Sequence, residues 1–133
     1  LNALVSNVPE YPEGYRMAGI FLVGNKRNEE AIPYIEKAIE LYTGLSGDKY
    51  PELIPNKNIL LADSYALEIT NYAELGRNQK AIDLFITRRA AIKAVSPEAE
   101  SKLLETVKKA NESYNKSATK KIYDANLKKL GVK

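Results

Sequence analysis

The stretch NEEAIPYIEKAIELY, Asn28–Tyr42, has the hydrophobic period of an amphipathic helix. Its apolar side chains recur every three or four residues and therefore share one helix face; they are Ala31, Ile32, Ile35, Ala38, Ile39 and Tyr42. We interpret Asn28 as the residue that caps the helix N-terminus. Because Pro33 has no backbone N–H, the sequence also predicts a slight bend or a late helix start between Asn28 and Pro33.

Helical periodicity continues on both sides of this stretch, and Gly and Pro clusters separate the periodic segments. The other predicted helices cover 13–23, 60–75 and 79–95, the last with Ala81, Ile82, Phe85 and Ile92 facing inward. A further region begins at SPEAE, Ser96–Glu100, with Ser96 as the predicted N-terminal cap, and two helices are favoured over one there. Residues 13–23 are apolar nearly all round, which predicts a buried helix. No run alternates as a β-strand does, so the sequence predicts an all-α fold of antiparallel hairpins.

Two parts of the sequence are similar at a distance of fifty residues. Both parts combine large residues, small residues and a similar turn. The first part reads Tyr15-x2-Ala18-Gly19-x2-Leu22, then the turn KRNEEAI, then Ala31-x3-Ile35-x2-Ala38. The second part has Tyr65 and Tyr72, then the turn GRNQKAI, then Ala81-x3-Phe85. Small residues let two antiparallel helices approach closely, and large ones fill the space beside them. The spacing therefore predicts two similar helical hairpins.

This pattern resembles the tetratricopeptide repeat, a helix–turn–helix unit of about 34 residues. The resemblance implies a short right-handed α-solenoid with a C-terminal capping helix or hairpin. It divides a single domain, 1–133, into repeat one (12–42), an insertion loop (43–58) with a helical turn near Pro51–Leu53, repeat two (59–95) and C-terminal helices (96–130). The alternative is a generic helical bundle.

The second repeat departs from the family pattern. Glu68 and Ile69 stand where a small pair is expected, and Arg88 stands where a small residue is expected. These departures put the close packing of the second hairpin in question. Further along, Ala118-x3-Ile122-x2-Ala125 is similar to the second helix of the repeat and predicts a degenerate third unit.

In proteins similar to this one, the first helix of each repeat lines a groove that holds a peptide or a helix. The matching residues form a mostly apolar surface with a charged rim; they are Glu13, Arg16, Met17, Ile20, Val23, Asp63, Ala66, Leu67, Thr70, Ala73 and Glu74. The resemblance therefore implies a protein-interaction module that binds an amphipathic helix or a hydrophobic peptide. The alternative is that the N-terminal segment or the last helix covers the same positions.

One recognition mode of the family is not expected. Its binders of chaperone tails carry a basic, Asn-rich clamp for a carboxylate, and Arg16, Ile20 and Leu67 stand at the matching positions. Tyr11 and Tyr50 lie outside the repeat pattern, so we consider them candidate surface contacts.

The composition contains no Cys and no His, which excludes thiol nucleophiles, imidazole bases and the usual zinc ligands. The segment GLSGDK, Gly44–Lys49, lacks the spacing of a phosphate-binding loop. We expect no enzymatic activity, no cofactor, no metal site and no small-molecule substrate.

Charge is distributed unevenly. Residues 1–95 contain 11 Lys and Arg against 12 Asp and Glu, a net charge of −1, and residues 96–133 contain 9 against 5, a net charge of +4. Basic helices can bind nucleic acid. Here Glu and Asp interrupt the lysines at helical spacing, so a solvated helix face is favoured over a site formed by Lys108, Lys109, Lys120, Lys121, Lys128 and Lys129.

No apolar run is long enough to span a membrane. Because Leu1 rather than Met comes first, we expect a piece of a longer or processed protein, and the compartment stays open between cytoplasm and export. Beside a protein or peptide partner, the sequence leaves open a structural domain that forms homo-oligomers.

Overall fold

The computed structural model describes residues 10–132, which form six α-helices and no β-strand. The helices are α1 Pro12–Gly24, α2 Asn28–Thr43, α3 Lys57–Glu74, α4 Asn78–Val95, α5 Pro97–Asn111 and α6 Lys120–Leu130. Short 3-10 turns cover Pro51–Asn56, Glu112–Tyr114 and Ser117–Thr119. The prediction of an all-α fold is confirmed. The N-terminal segment up to residue 9, to which a covering role was assigned as an alternative, and Lys133 lie outside the described residues.

Each helix packs on the next one along the chain, from α1 to α6. In addition, α1 contacts α3 and α3 contacts α5, so these three helices form a row. The core is continuous through these layers and contains large side chains from α1 to α6, including Leu22, Ile35, Ile69, Phe85, Val107 and Leu130. The inward positions predicted on α4 are all buried; they are Ala81, Ile82, Phe85 and Ile92.

The turns of the two hairpins have the same backbone geometry. The N–H of Arg27 donates to a carbonyl five residues earlier at 2.8 Å, and the N–H of Arg77 does the same at 3.0 Å. The preceding residues, Lys26 with φ 61° and Gly76 with φ 74°, both lie in the left-handed region. Glycine adopts this conformation without strain, whereas lysine pays a steric cost. The similarity of KRN to GRN therefore reflects one turn formed twice.

Close contact among three helices occurs at Gly19. A Cβ atom at this position would lie 2.8 Å from Ile35 Cγ1 on α2 and 3.5 Å from Leu67 Cδ2 on α3. Ile35 is almost fully buried, so it has little room to move. Glycine is thus required here for close approach rather than for a special backbone angle.

The second hairpin packs closely although it lacks the small residues. Glu68 and Arg88 occupy the positions that Ala18 and Ala38 hold in the first hairpin, and α3 and α4 remain in extensive contact. The Arg88 guanidinium lies 4.2 Å from the centre of the Tyr65 ring. Glu68 is only 8% exposed, and its Oε1 atom has no hydrogen-bond partner, as is also true of Arg88 Nε. The departures from the pattern thus place polar groups inside the hairpin without separating its helices.

The prediction for the last helix is wrong about the buried face. Ala118, Ile122 and Ala125 are exposed, with Ile122 at 44%, whereas Asn126 and Leu130 are buried. A buried amide network explains why the helix turns Asn126 rather than Ile122 toward the core. Asn126 Nδ2 donates to Asn111 Oδ1 at 2.8 Å and to Gln79 Oε1 at 2.9 Å. The separation of α5 from α6 is confirmed. The similarity of this segment to the second helix of a repeat does not extend to its packing.

Several helix boundaries also differ from the predictions. Asn28 is the first residue of α2 rather than its cap, and its side chain donates to Asn71 of α3 at 2.9 Å. A late start of α2 is wrong, since exposed Pro33 lies inside a helix that begins at Asn28. The predicted helical turn in the loop is longer than expected and leads directly into α3 at Lys57. The Ser96 cap is confirmed by a 3.1 Å hydrogen bond from Ala99 N–H to its hydroxyl.

Replacement of Gly19 tests the close approach. We expect Gly19→Ala to lower the free energy of unfolding by about 1 kcal/mol, because overpacking costs roughly 1–3 kcal/mol and exceeds a helix-propensity gain of roughly 1 kcal/mol. Gly24→Ala on the same helix is the control, since its Cβ would meet no atom within 4 Å. Urea denaturation measures both, and equal stability of Gly19→Ala and wild type would contradict the packing argument.

The buried Glu68 makes stability depend on pH. Burial raises the pKa of its carboxyl, Arg88 and Lys80 oppose the increase, and Glu36 adds to it. Since the folded-state pKa lies above the unfolded value of 4.5, the native state is relatively most stable below 4.5 and loses this advantage as pH rises through the folded-state pKa.

We therefore expect Glu68→Gln to be more stable than wild type at pH 7 by about 1 kcal/mol, with a difference that shrinks below pH 4.5. Thermal unfolding at a series of pH values measures this difference. Exposed Glu40→Gln on α2 is the control and is expected to show no comparable trend. A less stable Glu68→Gln at neutral pH would show that the charge is well compensated.

Candidate functional site

The row of α1, α3 and α5 carries the predicted groove residues. The residues predicted on α1 and those predicted on α3 belong to neighbouring helices that contact each other. The sequence assigned no residue of α5 to the surface, although α5 lies on the other side of α3. The candidate surface is therefore wider than the pattern indicates, and its two halves have different chemistry.

A polar cluster joins α1 to α2 and α3. Arg16 donates to both carboxylate oxygens of Glu13, at 2.5 and 3.0 Å, and to Asp63 Oδ2. The hydroxyl of Tyr42, which is fully buried on α2, also donates to Glu13. Glu13 and Arg16 are half-buried and fully engaged within the chain. We conclude that these two predicted groove residues connect helices.

The pKa values of the cluster reflect these contacts. Partial burial opposes ionisation of Glu13, but the hydrogen bonds from Arg16 and Tyr42 lower the pKa of its carboxyl. Burial, followed by the nearby Glu13 carboxylate, raises the pKa of the Tyr42 hydroxyl. The Glu13 carboxylate likewise raises the pKa of Arg16. The cluster is therefore an ionised carboxylate held by two donors at neutral pH.

The outer side of α1 exposes large apolar side chains. Met17 is 46% exposed, Ile20 is 40% exposed and Phe21 is 51% exposed. The prediction that this helix is buried all round is therefore wrong. Its buried residues face α2 and α3 instead, while Val23 is half-buried against the core. Met17 and Ile20 are exposed on this side, and their predicted role in binding stays a prediction.

Leu67 occupies the seam between α1 and α3. Its side chain is half-buried, packs against the core and approaches Gly19. A change at Leu67 would thus disturb folding as well as any binding surface. This residue is a poor probe of the predicted groove.

Two clefts lie along α3 on the side away from α1. The larger has a volume of about 510 Å³ and lies between the C-terminal halves of α3 and α5; its lining residues are Thr70, Ala73, Glu74, Asn78, Thr106, Lys109, Ala110 and Ser113. The smaller has a volume of about 280 Å³, and its lining residues are Ile59, Ala62, Asp63, Ala66, Ile92, Val95, Ser96 and Ala99. We call the surface formed by these two clefts the α3–α5 groove. All the predicted α3 residues except Leu67 thus lie in these clefts together with residues of α5.

Small side chains form the floor of the α3–α5 groove, and charges follow its rims. Alanine and threonine come from both helices, as in Ala66 and Thr70 on α3 and Thr106 on α5. Asp63 and Glu74 make the α3 rim acidic, and exposed Lys102 and Lys109 make the α5 rim basic. The groove is therefore shallow, largely uncharged at its centre and polarised across its width.

The sequence pattern missed α5 because Leu103–Tyr114 lacks the repeat spacing. The sequence did contain a signal for this neighbour. The helix-start pattern at Ser96 follows α4 with no connecting loop, so the next helix must fold back beside α3. Short connections between helices favour antiparallel neighbours. That reasoning would have added Thr106, Lys109 and Ala110 to the candidate surface.

The two tyrosines considered for surface contact bind each other. The rings of Tyr11 and Tyr50 lie 5.1 Å apart in an edge-to-face arrangement, and both residues are half-buried. This pair attaches the loop after α2 to the start of α1. Aromatic pairs of this geometry contribute about 0.5–1.5 kcal/mol beyond their buried area. Both tyrosines are therefore engaged in a contact within the chain.

Other classes of site receive no support from residues 10–132. No group of three or more acidic side chains in that range is arranged to hold a metal ion. None of the helices described is both long and apolar enough to cross a bilayer. Among the lysines considered for nucleic acid, Lys108 pairs with Glu105 at 3.4 Å and Lys120 with Asp124 at 3.8 Å.

No known protein-family model matches the chain, and no curated protein or solved structure is significantly similar to it. Function must therefore be argued from the surfaces themselves. Two of them stand out: the α3–α5 groove and the apolar outer side of α1.

Removal of the Glu13 charge tests whether the polar cluster is structural. We expect Glu13→Gln to lose about 2 kcal/mol at pH 7, because hydrogen bonds to a charged group contribute roughly 1.5–3 kcal/mol. The folded-state pKa lies below the unfolded value of 4.5, so the contribution is present above 4.5 and disappears as pH falls through the folded-state pKa.

Chemical denaturation of both proteins at pH 7 and pH 3 measures this effect. The stabilities should converge at the lower pH. Glu52→Gln, at an exposed carboxylate in the loop, is the matched control and should show no pH-dependent difference. A constant difference between Glu13→Gln and wild type at both pH values would argue against an ionic role.

Proposed function

We propose that the chain is a short right-handed α-solenoid of the tetratricopeptide-like kind and that it is a non-catalytic protein-interaction module. The order of helix contacts supports this architecture, because successive helices pack in sequence and α1, α3 and α5 also form a row. The two turns with equal geometry, fifty residues apart, support two equivalent hairpins. In a solenoid each unit packs mainly on its neighbours, as here.

The C-terminal end supports the same interpretation. Solenoids need terminal units with a polar outer face. The outer side of α6 carries the exposed lysines Lys121, Lys128 and Lys129, while Arg89 fixes its end through a 2.8 Å hydrogen bond to the Leu130 carbonyl. On this interpretation α6 is the capping helix rather than part of a third repeat.

The binding site in this proposal is the α3–α5 groove. The observation that carries the proposal is the pair of clefts that lie one after the other along α3, with small side chains at the centre and opposite charges on the two rims. Small residues allow another backbone to approach closely. We therefore assign the groove to a protein segment rather than to a compact small molecule.

An amphipathic helix fits this groove better than an extended peptide. An extended peptide brings unpaired N–H and C=O groups that need partners. The backbone groups of α3 and α5 are used within their own helices, and the Asn78 amide in the larger cleft already donates to Ser113 Oγ at 2.9 Å. A helix satisfies its own backbone and would place apolar side chains between the rims.

The rim charges define the chemistry of the partner helix. Its apolar stripe would face the Ala and Thr floor, with basic residues beside Asp63 and Glu74 and acidic residues beside Lys102 and Lys109. Such rim contacts mainly orient a partner and increase the association rate. The proposal is therefore specific about polarity as well as shape.

Filling the larger cleft tests the proposal. Helix-forming peptides selected against wild-type protein from a displayed random library serve as probes, and fluorescence anisotropy measures their affinity. We expect Thr106→Arg to weaken binding by about tenfold or more, because the new side chain occupies the groove centre. Amide shift mapping of the wild-type complex should locate the changes on α3 and α5.

Thr87→Arg on α4 is the matched control. Both threonines donate a hydroxyl hydrogen bond to the carbonyl four residues earlier, at 3.1 Å for Thr106 and 3.0 Å for Thr87, but Thr87 lies outside the groove. Thr87→Arg should leave affinity unchanged. Equal affinities of the two variants, or a selection that yields only peptides insensitive to Thr106→Arg, would contradict the assignment.

A further inference from the structure

The two helices that line the α3–α5 groove run in the same direction. The N-terminal half of α3 and the first turn of α5 line the smaller cleft, and the C-terminal halves of both helices line the larger cleft. The dipoles of parallel helices add, which places positive partial charge at the smaller cleft and negative partial charge at the larger cleft. A third helix that packs on both is therefore most favourable when it runs antiparallel to them.

Side-chain charge at the larger cleft strengthens this asymmetry beside α3. The last turn of α5 carries Lys108 and Lys109, which compensate the dipole of that helix, whereas the last turn of α3 contains no basic residue and ends at Glu74. Glu74 lines the larger cleft and accepts one hydrogen bond, which comes from the neutral side-chain amide of Asn28. Negative charge at this end suits the N-terminus of a partner helix, which carries free N–H donors.

The smaller cleft favours an apolar side chain. Six of its eight lining residues are Ala, Ile or Val, and Ile59 among them is 53% exposed. Its two polar residues are engaged within the chain, because Asp63 accepts a hydrogen bond from Arg16 and Ser96 Oγ accepts one from the N–H of Ala99. In the larger cleft six of the eight lining residues are polar or charged. Since burial of a polar group without a partner is costly, the large apolar residue of a bound helix fits the smaller cleft.

We propose that the partner helix of the α3–α5 groove runs antiparallel to α3 and α5, with its first turn beside Glu74 and one large apolar side chain in the smaller cleft. Ala62 of the smaller cleft precedes Thr70 of the larger one by eight residues, and Ala66 precedes Glu74 by eight. This spacing corresponds to roughly 12 Å along a helix, so the apolar anchor follows the first turn of the partner by about eight residues. The inference rests on the proposed function, which leaves the direction and the anchor open.

Paramagnetic labelling tests the direction. The probes are helix-forming peptides selected against the wild-type protein whose binding is weakened by Thr106→Arg, synthesised with a nitroxide label at one end or the other. A label at the peptide N-terminus should broaden the amide resonances of Ala73 and Ala110 at the larger cleft most strongly. A label at the C-terminus should instead broaden those of Ala62 and Ala99 at the smaller cleft.

The outcomes separate this inference from the proposed function. The reverse pattern of broadening, or equal broadening at both clefts from either label, would overturn the antiparallel direction and leave the groove as the binding site. If no selected peptide responds to Thr106→Arg, the proposed function fails, and the direction and the anchor fail with it.

Truncation of Ile59 tests the anchor. Ile59→Ala should weaken peptide binding by about fivefold or more, because it removes apolar surface that the anchor covers. Ile122→Ala is the matched control, since Ile122 is also an exposed isoleucine, at 44%, but lies on α6 outside the groove. It should leave affinity unchanged, and circular dichroism melting establishes that both variants are folded.

An alanine scan of the peptide locates the anchor from the other side. The most sensitive position should be a large apolar residue about eight residues after the first helical turn. A peptide that depends on Thr106 but binds Ile59→Ala as tightly as wild type, or whose most sensitive residue lies in its first turn, would overturn the anchor.

Discussion

The row of helices depends on the close approach of α1 to α2 and α3 at Gly19. One missing side chain brings three helices together, because a Cβ there would lie 2.8 Å from Ile35 and 3.5 Å from Leu67. Ala31 and Ala81 at the start of the second helix of each hairpin are fully buried and permit similar approach. Large side chains then fill the remaining space at native packing density. The spacing between helices is thus set by the positions of these small residues.

The second hairpin reaches the same arrangement with different residues. Ile69 stands where the first hairpin has Gly19, and Glu68 and Arg88 replace two alanines. Arg88 stacks on Tyr65 and thereby fills space with its guanidinium, while Glu68 remains buried with an oxygen unpaired. The shared turn geometry keeps the two helices antiparallel even though this contact is less favourable. Local turn chemistry therefore tolerates a costly substitution in the interior.

Charged residues serve two different purposes along the row. Glu13 and Arg16 are half-buried and bind within the chain, so their ionisation stabilises the junction of three helices. The charges on the rims of the α3–α5 groove are exposed, and in the proposed function they orient a partner, although Asp63 also accepts a hydrogen bond from Arg16 and Glu74 accepts one from Asn28. The difference follows from burial, because a desolvated charge requires a partner within the molecule and an exposed one does not.

The sequence by itself determined the all-α class, the positions of the helices to within a few residues, the Ser96 cap and the inward face of α4, since hydrophobic period and capping are local properties. Five of the six α3 positions that it proposed for a binding surface, all but Leu67, line the α3–α5 groove, and their binding role stays a prediction. The sequence did not determine the exposed side of α1, the contribution of α5 or the buried face of α6. Those depend on which helices become neighbours: α5 folds back beside α3, and Asn126 is buried only because Asn111 and Gln79 meet it. Only the tertiary structure decides such contacts, because they join residues far apart in the chain.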